Sequence, residues 1–191
     1  MTRMHARVVL AIVVVATALV LPLIARARHI DVTDQNDVRG LLDVRLVKTF
    51  GEERPGFRVF TFNPWSNREI FERGFILVFF DTLGTKRSDY YVLAKSTSTR
   101  MVASLYRDRQ YKQDRRVASA SVWRPSRRSV TIQIPLGRMK FGSNRLVYRW
   151  YVETLFTNRR CPRVCFDFAP NNDVVVEPRP GATATTTSSG S

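Results

Sequence analysis

The sequence predicts an all-β protein: an antiparallel β-sandwich of jelly-roll type with about eight to nine strands, preceded by an apolar N-terminal helix. Short runs of β-branched and aromatic residues recur about every ten residues, each bounded by turn residues, which is typical of a sandwich. After residue 30 no segment keeps a helical period. The 191 residues are 44% hydrophobic and 25% charged, and this composition indicates one folded domain rather than a disordered chain.

The chain begins with an apolar segment that indicates export. Residues 8–24 contain no charged side chain; basic residues precede them and Ala-Arg-Ala follows at 25–27. A basic start, an apolar middle and a small-x-small end predict residues 1–27 as a signal peptide that is cleaved there. The first alternative is an uncleaved membrane anchor, because 17 residues reach the lower end of a bilayer span. The second is a buried helix of a soluble protein.

The rest of the chain is predicted to form one domain and a tail. Residues 28–178 are assigned to the β-sandwich domain and residues 179–191 to a disordered tail. The tail ends in GATATTTSSGS, which has no large apolar side chain with which to form a core. The predicted location is therefore secreted or in the cell envelope, on the extracytoplasmic face.

The predicted strands follow in order, each with its own signal. The first, around 42–46, alternates apolar and polar residues, and the second, 57–62, follows a Pro-Gly turn. Residues 63–73 are the only segment that predicts a helical turn, which begins at Asn-Pro and ends near Gly74. The third strand, 75–80, is apolar at every position, and this pattern predicts a central strand buried on both faces.

Further strands complete the prediction, at 90–94, 101–106, 117–124, 129–135 and 146–156, with a candidate ninth at 173–177. The strand at 129–135 has the clearest alternation, and residues 125–128 join it to the preceding strand as a tight hairpin. In the long strand at 146–156, Trp150 shares a face with apolar residues, so we expect it in the core.

The two cysteines agree with export. Cys161 and Cys165 enclose three residues, and in an oxidising compartment this short loop could close as a disulfide. A metal-binding pair is the alternative, but zinc takes four ligands and the domain has no histidine to complete the set. The sequence therefore favours the disulfide.

The histidine content excludes several classes of enzyme. The two histidines, His5 and His29, both precede the predicted strands. A Ser-His-Asp or Cys-His site cannot be assembled from the domain, and histidine-ligated zinc and haem are excluded for the same reason. Glycoside hydrolysis needs two carboxylates, but Glu153 is the only glutamate within the eight strands and no second acid pairs with it. The sequence predicts that the protein is not an enzyme.

Aspartates at the start of the domain are a candidate metal site. Asp31, Asp34 and Asp37 recur at three-residue spacing, and Asp43 follows them. Calcium takes six to eight oxygen ligands, and oxygen-rich segments of this kind can wrap the ion. A calcium site formed by Asp31, Asp34 and Asp37 is one interpretation, and aspartates that form turns are the other.

Two tryptophans are candidate platforms for a sugar ring. Small apolar residues mark one face of the strand at 117–124, which leaves Trp123 with Ser119 and Ser121 on the other face. There Trp123 could hold a ligand, unless a second layer covers that face and makes it part of the core. Trp65 lies in an Asn-Pro-Trp-Ser segment and either plugs one end of the sandwich or lines its rim.

Positive charge is concentrated between residues 107 and 128, where seven arginines and one lysine accompany two aspartates. Arginine binds phosphate and carboxylate through two parallel hydrogen bonds, so Arg124, Arg127 and Arg128 are candidate residues for binding an anionic ligand. One alternative is biased codon usage, since arginine outnumbers lysine 26 to 5 in a chain of net charge +15. Another is protection of sheet edges against aggregation.

Short motifs occur in a fixed order: DVRGLLDV at 37–44, DTLG at 81–84, DYY at 89–91, SVTIQIP at 129–135 and YRWY at 148–151. Over residues 31–170 they resemble exported bacterial β-sandwich domains related to family-nine carbohydrate-binding modules and DOMON domains. The resemblance implies a jelly-roll-like sandwich that binds a sugar or another ligand and does not catalyse a reaction. Relatives that bind sugar clamp it between aromatic rings, a role for which Trp123 and Trp65 are the candidates. Relatives that bind haem use histidine and methionine, and this domain has no histidine.

The sequence thus predicts an exported, non-enzymatic binding module for an extracellular ligand, with carbohydrate as the favoured class. The alternative is a structural or interaction protein of the envelope, tethered through residues 8–24, that uses its arginines on anionic polymers or surfaces. Nucleic acid is not an expected partner of an exported protein. No cofactor is expected apart from calcium.

Overall fold

The computed structural model describes residues 29–51, 55–142, 147–159, 161–171 and 173–179. The predicted signal peptide or anchor at 1–27 lies outside these residues, as does the predicted tail except for Arg179. In the part of the chain that the structure describes, no helix has the length and apolar character needed to cross a membrane.

The described residues form eleven strands, one short α-helix and one 3₁₀ helix. The strands are β1 (Asp31–Thr33), β2 (Val44–Phe50), β3 (Gly56–Thr61), β4 (Gly74–Asp81), β5 (Tyr90–Ser96), β6 (Met101–Arg107), β7 (Arg115–Ser126), β8 (Ser129–Gln133), β9 (Val147–Asn158), β10 (Cys161–Ala169) and β11 (Val175–Pro178). The helices are α1 (Asn67–Ile70) and the 3₁₀ turn Leu136–Arg138. All strand pairs are antiparallel, so the all-β, antiparallel prediction is confirmed.

The strands form one continuous sheet in the order β1-β2-β3-β8-β7-β6-β5-β4-β9-β10, with β11 also paired to β9. The N-terminal part of β7 pairs with β6 and its C-terminal part pairs with β8, so the sheet turns over at β7 into two halves. The first half consists of β1, β2, β3 and β8. The second half consists of β6, β5, β4, β9 and β10. Near the two ends the backbone N–H of Val44, on β2, donates to the Asp167 carboxylate of β10, and the sheet nearly closes.

The core lies between the inward sides of the two halves. Phe57 of β3 contacts Phe80 of β4 and Trp150 of β9, with ring centroids 5.7 and 4.8 Å apart in edge-to-face geometry. Trp150 is fully buried, as the sequence predicts. Its indole N–H and the hydroxyl of Tyr148 both donate to Glu177, so the polar atoms of these large side chains are satisfied inside the core.

Within the described residues, α1 is the helical turn predicted within 63–73. Ser66 is its N-cap: the Ser66 hydroxyl accepts from the Glu69 backbone N–H, and the Glu69 carboxylate accepts from the Ser66 backbone N–H. Ile70 is its buried residue, and Gly74, where the prediction ended the turn, begins β4.

Strand β4 is central, between β5 and β9, but the prediction that both of its faces are buried is wrong. Ile76, Val78 and Phe80 point into the core, whereas Phe75, Leu77 and Phe79 are half-exposed on the outer side. Of these outward side chains, Phe79 contacts the rings of Tyr91 on β5 and Tyr151 on β9.

The predicted disulfide between Cys161 and Cys165 is present. It lies within β10 rather than in a loop, at the point where the register of β10 against β9 shifts. A bond that spans so few residues fits such an irregularity, because the backbone between the cysteines bulges out of the ladder.

Candidate functional site

A cleft of about 540 Å³ opens beside the ends of β4 and β9. Its lining includes Asp81, Lys86, Arg149, Tyr151 and Phe168, and we call it the aromatic cleft. The volume is within the range of small-molecule sites, and an apolar lining with a few polar groups is typical of them. Phe168 contributes an aromatic side chain that is 40% exposed.

The ring of Tyr151 ends a row of four aromatic side chains on the outer side of the second half. Tyr106, Tyr91, Phe79 and Tyr151 follow one another across β6, β5, β4 and β9, with centroids 5.2, 5.6 and 4.8 Å apart. Among the described aromatic pairs, Tyr151 stacks on Phe79, which lies on the neighbouring strand β4. Tyr151 also lines the aromatic cleft, so the row of rings ends at the cleft.

Polar groups of the aromatic cleft are held in place by the loop after β4. The Asp81 carboxylate accepts backbone N–H groups of Gly84, Thr85 and Lys86, and it lies 4.0 Å from the Arg149 guanidinium. Burial, with smaller contributions from the charges of nearby acids, raises the pKa of Tyr151. Its hydroxyl is thus protonated at neutral pH and can donate a hydrogen bond.

Sequence reasoning did not identify this cleft, although two of its motifs contribute to it. DTLG at 81–84 supplies Asp81 and YRWY at 148–151 supplies Arg149 and Tyr151. The two motifs meet because Asp81 pairs with Arg149 across β4 and β9. A pattern within one segment cannot predict that two segments so distant in sequence pair as neighbouring strands.

Trp123 lies on the outer side of β7 and is 44% exposed, so the structure places it outside the core. Ser119 and Ser121 are exposed beside it, as the alternation predicts. Across the ladder it pairs with Thr131, whose hydroxyl accepts a hydrogen bond from the Arg58 side chain at 3.0 Å. Trp123 is thus a single ring on an open sheet face.

Trp65 and Arg124, both expected to bind ligand, instead bind each other. Trp65 is only 1% exposed, and the Arg124 guanidinium lies 3.6 Å from the centre of its ring. Arg124 also donates to the backbone carbonyls of Trp65 and Arg127, at 2.6 and 3.0 Å. This position corrects the prediction for both residues: the guanidinium covers the Trp65 ring and its two terminal nitrogens donate within the protein, while its buried Nε has no hydrogen-bond partner. Burial lowers the pKa of Arg124, and the charge of Arg127 adds to the effect.

The arginines between 107 and 128 do not form one patch. Strand β7 is 12 residues long, so its two ends are roughly 36 Å apart. Arg127 and Arg128 form the exposed turn of the predicted hairpin, at the C-terminal end of β7. The arginines before and at its N-terminal end lie at the opposite end of the strand.

These N-terminal arginines line a second cleft, of about 380 Å³, which we call the basic cleft. Its cationic lining comprises Arg107, Arg109, Arg115, Arg116, Arg138 and Lys140, and no acidic residue lines it. The ion pairs found among the described residues, Lys48–Asp31 and Arg149–Asp81, involve none of these cations. The sequence prediction omitted Arg138 and Lys140 because they follow β8 and reach the cleft only through the fold.

Aspartates from the segment before β2 and from β10 converge near the two ends of the sheet. Single carboxylate oxygens of Asp37, Asp43 and Asp167 all lie within 4.8 Å of one another. Asp34 borders them, because the Asn171 amide is placed to donate to both Asp34 (2.8 Å) and Asp37 (3.3 Å). We call these four carboxylates the aspartate pocket.

Hydrogen bonding in the aspartate pocket is incomplete. Asp167 accepts the backbone N–H groups of Val44 and Phe168. Asp43 is 1% exposed, and neither of its carboxylate oxygens accepts a hydrogen bond of normal geometry, although the nearby Val38 backbone N–H partly lowers its pKa; one buried oxygen of Asp34 also lacks such a bond. Buried polar atoms are rarely left in this state.

Burial dominates the acidity of these groups. It raises the pKa of Asp43 to about 6, and the charges of Asp37 and Asp34 add to the effect. It raises the pKa of Asp167 to about 7, although the N–H groups of Val44 and Phe168 partly oppose it. The pKa of Asp34 is raised by burial as well.

The structure changes the membership of the predicted calcium site. Asp34 and Asp37 belong to the aspartate pocket, but Asp31 does not, because it pairs with Lys48 at 2.7 Å on the neighbouring strand. Asp43 joins the pocket from the same sequence segment. Asp167 could not be found from the sequence, since it lies more than 120 residues away.

Comparison with protein-family models, with curated proteins and with solved structures found no match for this chain. The resemblance to carbohydrate-binding and DOMON-like domains therefore stays a prediction.

Proposed function

We propose that this chain is an exported, non-enzymatic binding module for carbohydrate and that the sugar binds in the aromatic cleft. The observation that carries the proposal is the aromatic ring of Tyr151, which stacks on Phe79 and lines a cleft of about 540 Å³. The apolar C–H face of a sugar packs on an aromatic ring, which buries apolar area without desolvating the hydroxyl groups at the edge of the sugar.

The remaining lining suits those hydroxyl groups. Arg149 is a donor and the protonated Tyr151 hydroxyl is either a donor or an acceptor, whereas Asp81, whose carboxylate already accepts three backbone N–H groups, lies 4.0 Å from Arg149 as its charged neighbour. Charged partners form stronger hydrogen bonds than neutral ones. Three backbone N–H groups hold the Asp81 side chain in one position. This part of the site is therefore ordered before a ligand binds, and binding does not cost the entropy of ordering it.

The proposal includes the predicted two-layered sandwich and the export of the protein. The contacts of Phe57 with rings of the other half support two packed layers. The disulfide is compatible with an oxidising, extracellular location. A non-catalytic role is favoured because the only histidine in the described ranges, His29, interacts with the Thr49 carbonyl and does not line the aromatic cleft.

Glycan-array screening of the secreted protein, followed by calorimetry with the best oligosaccharide, tests the proposal. Tyr151→Ala should weaken binding about tenfold or more, which corresponds to about 1.4 kcal/mol of lost stacking. Tyr151→Phe should keep most of the affinity because it keeps the ring. Trp123→Ala serves as the control at the other exposed ring. Failure to bind any glycan, or loss of binding in Trp123→Ala but not in Tyr151→Ala, would contradict the aromatic cleft as the site.

A second candidate function is binding of an anionic envelope polymer, favoured by the basic cleft. Six cations surround about 380 Å³ without an acidic residue in the lining, which concentrates positive potential. Arg116 is held there by hydrogen bonds to Ser104 and Ser119, so part of the surface is ordered in advance. Carboxylate or phosphate groups of a polymer would fit such a surface.

Affinity for soluble polygalacturonate at several salt concentrations tests this second function. The double variant Arg115→Ser, Arg138→Ser should weaken binding and reduce its salt dependence, because two of the six cations are removed. The matched control, Arg127→Ser with Arg128→Ser, removes the same charge from the hairpin turn. Equal loss in both double variants would indicate attraction to net charge rather than to the basic cleft.

A further inference from the structure

We propose that the aspartate pocket is a calcium site, formed by Asp37, Asp43 and Asp167 with Asp34 beside them. The metal would be a structural part of this chain, and the inference does not depend on either proposed function.

The geometry of the carboxylate oxygens fits one shared ion. Calcium lies about 2.3–2.6 Å from its oxygen ligands, so two ligands of the same ion are at most about 5 Å apart. The three oxygens of Asp37, Asp43 and Asp167 meet this condition, since all lie within 4.8 Å of one another. Carboxylates can bind calcium through one or both oxygens, and water completes the shell where the pocket reaches the exposed Asp37.

A second observation separates this pocket from an ordinary acidic surface. The Asp43 side chain is almost completely buried and one of its oxygens lies within 4.8 Å of the Asp37 and Asp167 carboxylates, yet neither oxygen accepts a hydrogen bond of normal geometry, and Val38 N–H is the one donor that lowers its pKa. The buried second oxygen of Asp34 accepts no hydrogen bond of normal geometry, and the Asp167 carboxyl group is its side-chain neighbour. A cation in the pocket would satisfy these atoms together, whereas without one their burial is unfavourable.

The charge distribution of the chain points the same way. The protein carries 31 basic residues and a net charge of +15, so basic partners for a buried carboxylate are abundant. Among the described residues, nevertheless, no lysine or arginine forms an ion pair with any of the four aspartates. Buried charges in proteins are paired or coordinate metals, and the fold has kept basic side chains out of this pocket.

The other contacts of the pocket are those expected around a metal. Asp167 is oriented by the backbone N–H groups of Val44 and Phe168, which leaves it a rigid ligand. Asn171 bridges Asp34 and Asp37, and its amide, turned about its axis, would present a ligand oxygen instead. All ligand atoms are oxygens, the donor set that hard cations such as calcium prefer.

Calorimetric titration of the full secreted chain, stripped of metal with a chelator, tests the proposal. Calcium should bind with one site per chain and raise the melting temperature, and magnesium should do so much more weakly because it demands a smaller octahedral shell. Absence of any calcium-dependent heat or stabilisation up to about 1 mM, the weak end of extracellular calcium sites, would overturn it.

Two substitutions in the same segment provide the matched comparison. Asp37→Asn changes an exposed ligand, so the variant should fold but bind calcium roughly tenfold more weakly or worse, because one ligand charge is lost. Asp31→Asn, six residues earlier, should bind calcium like the wild type, since Asp31 pairs with Lys48. Equal weakening in both variants would show that calcium responds to general acidity and would overturn the site.

Discussion

At the scale of single residues, the most informative side chains are those that the fold buries with charge. Asp43 is almost completely buried and Arg124 is partly buried, but their surroundings differ. Arg124 has an aromatic ring and backbone carbonyls around it, whereas Asp43 has other carboxylates. The contacts of Arg124 stabilise the fold without any further partner. The carboxylates around Asp43 repel one another unless a proton or a cation neutralises their charge.

This difference predicts a pH dependence for the calcium-free protein. The pKa values of Asp43 and Asp167, about 6 and about 7, are above those of about 4 in an unfolded chain. The folded state therefore holds these protons more tightly. The resulting stability is fully present below about pH 4 and is lost as the pH rises through 6 and 7.

The expected result is that Asp43→Asn, in chelator, becomes more stable relative to the wild type as the pH rises from 4 to 8. Comparing the two proteins at each pH removes the repulsion among the other charges, which both share. Thermal unfolding monitored by circular dichroism measures the difference, and Asp31→Asn should show none of it. A melting-temperature difference that does not change with pH would mean that Asp43 is not forced to bind its proton in the folded state.

At the scale of elements, Arg124 fastens the β7–β8 hairpin to the segment that precedes α1. Its guanidinium covers the Trp65 ring and donates to the Trp65 and Arg127 carbonyls. Cation–π contact and charge-assisted hydrogen bonds of this kind each contribute about 1–3 kcal/mol. We expect Arg124→Ala to lower the free energy of unfolding by about 3 kcal/mol, measured by urea denaturation.

The controls lie beside it in the same hairpin. Arg127→Ala and Arg128→Ala change exposed side chains and should alter the free energy of unfolding by less than about 0.5 kcal/mol. Arg124→Lys should fall between, because lysine keeps the charge but lacks the planar fork. If Arg124→Ala is no worse than the two controls, the stacked arrangement makes no net contribution to stability.

The elements also show which parts of the fold can be predicted from the sequence. Each predicted strand overlaps an observed one, because alternation and turn residues are local properties of the chain. Strand β1 was missed because it is three residues long and polar. Strand β10 was missed because Pro162 and the close cysteines indicate a loop, whereas the fold accommodates them at an irregularity of the ladder.

The candidate sites were less predictable than the strands. Alternation of residues along the strand alone predicts the correct face for Trp123. The stacking of Arg124 on the Trp65 ring, in contrast, is a contact that no sequence pattern reveals. The sequence predicts part of the aspartate pocket, because Asp34 and Asp37 lie close together in the chain. It does not predict Asp167, which belongs to β10. A site that is assembled from distant strands requires the topology, and sequence spacing does not supply it.

At the scale of the whole molecule, the sheet is continuous everywhere except between its two ends. Side chains rather than a backbone ladder connect the ends in the described residues: Asp167 accepts from Val44, and the Thr154 hydroxyl donates to the Leu42 carbonyl at 2.7 Å. The aspartate pocket spans the same gap, because Asp37 and Asp43 precede β2 whereas Asp167 belongs to β10. A calcium ion there would tie together strands that nothing else pairs.

Hydrogen exchange followed by mass spectrometry can detect such closure. Calcium should slow amide exchange in β1, β2 and β10, which border the gap, while β5 and β6, already paired on both sides, should change little. Asp37→Asn should lose the effect at calcium concentrations that saturate the wild type, and Asp31→Asn should retain it. Equal slowing of amide exchange in all strands would instead show that the ion stabilises the whole fold without joining its ends. In that case exchange would occur through global unfolding, and local opening at the gap would add nothing to it.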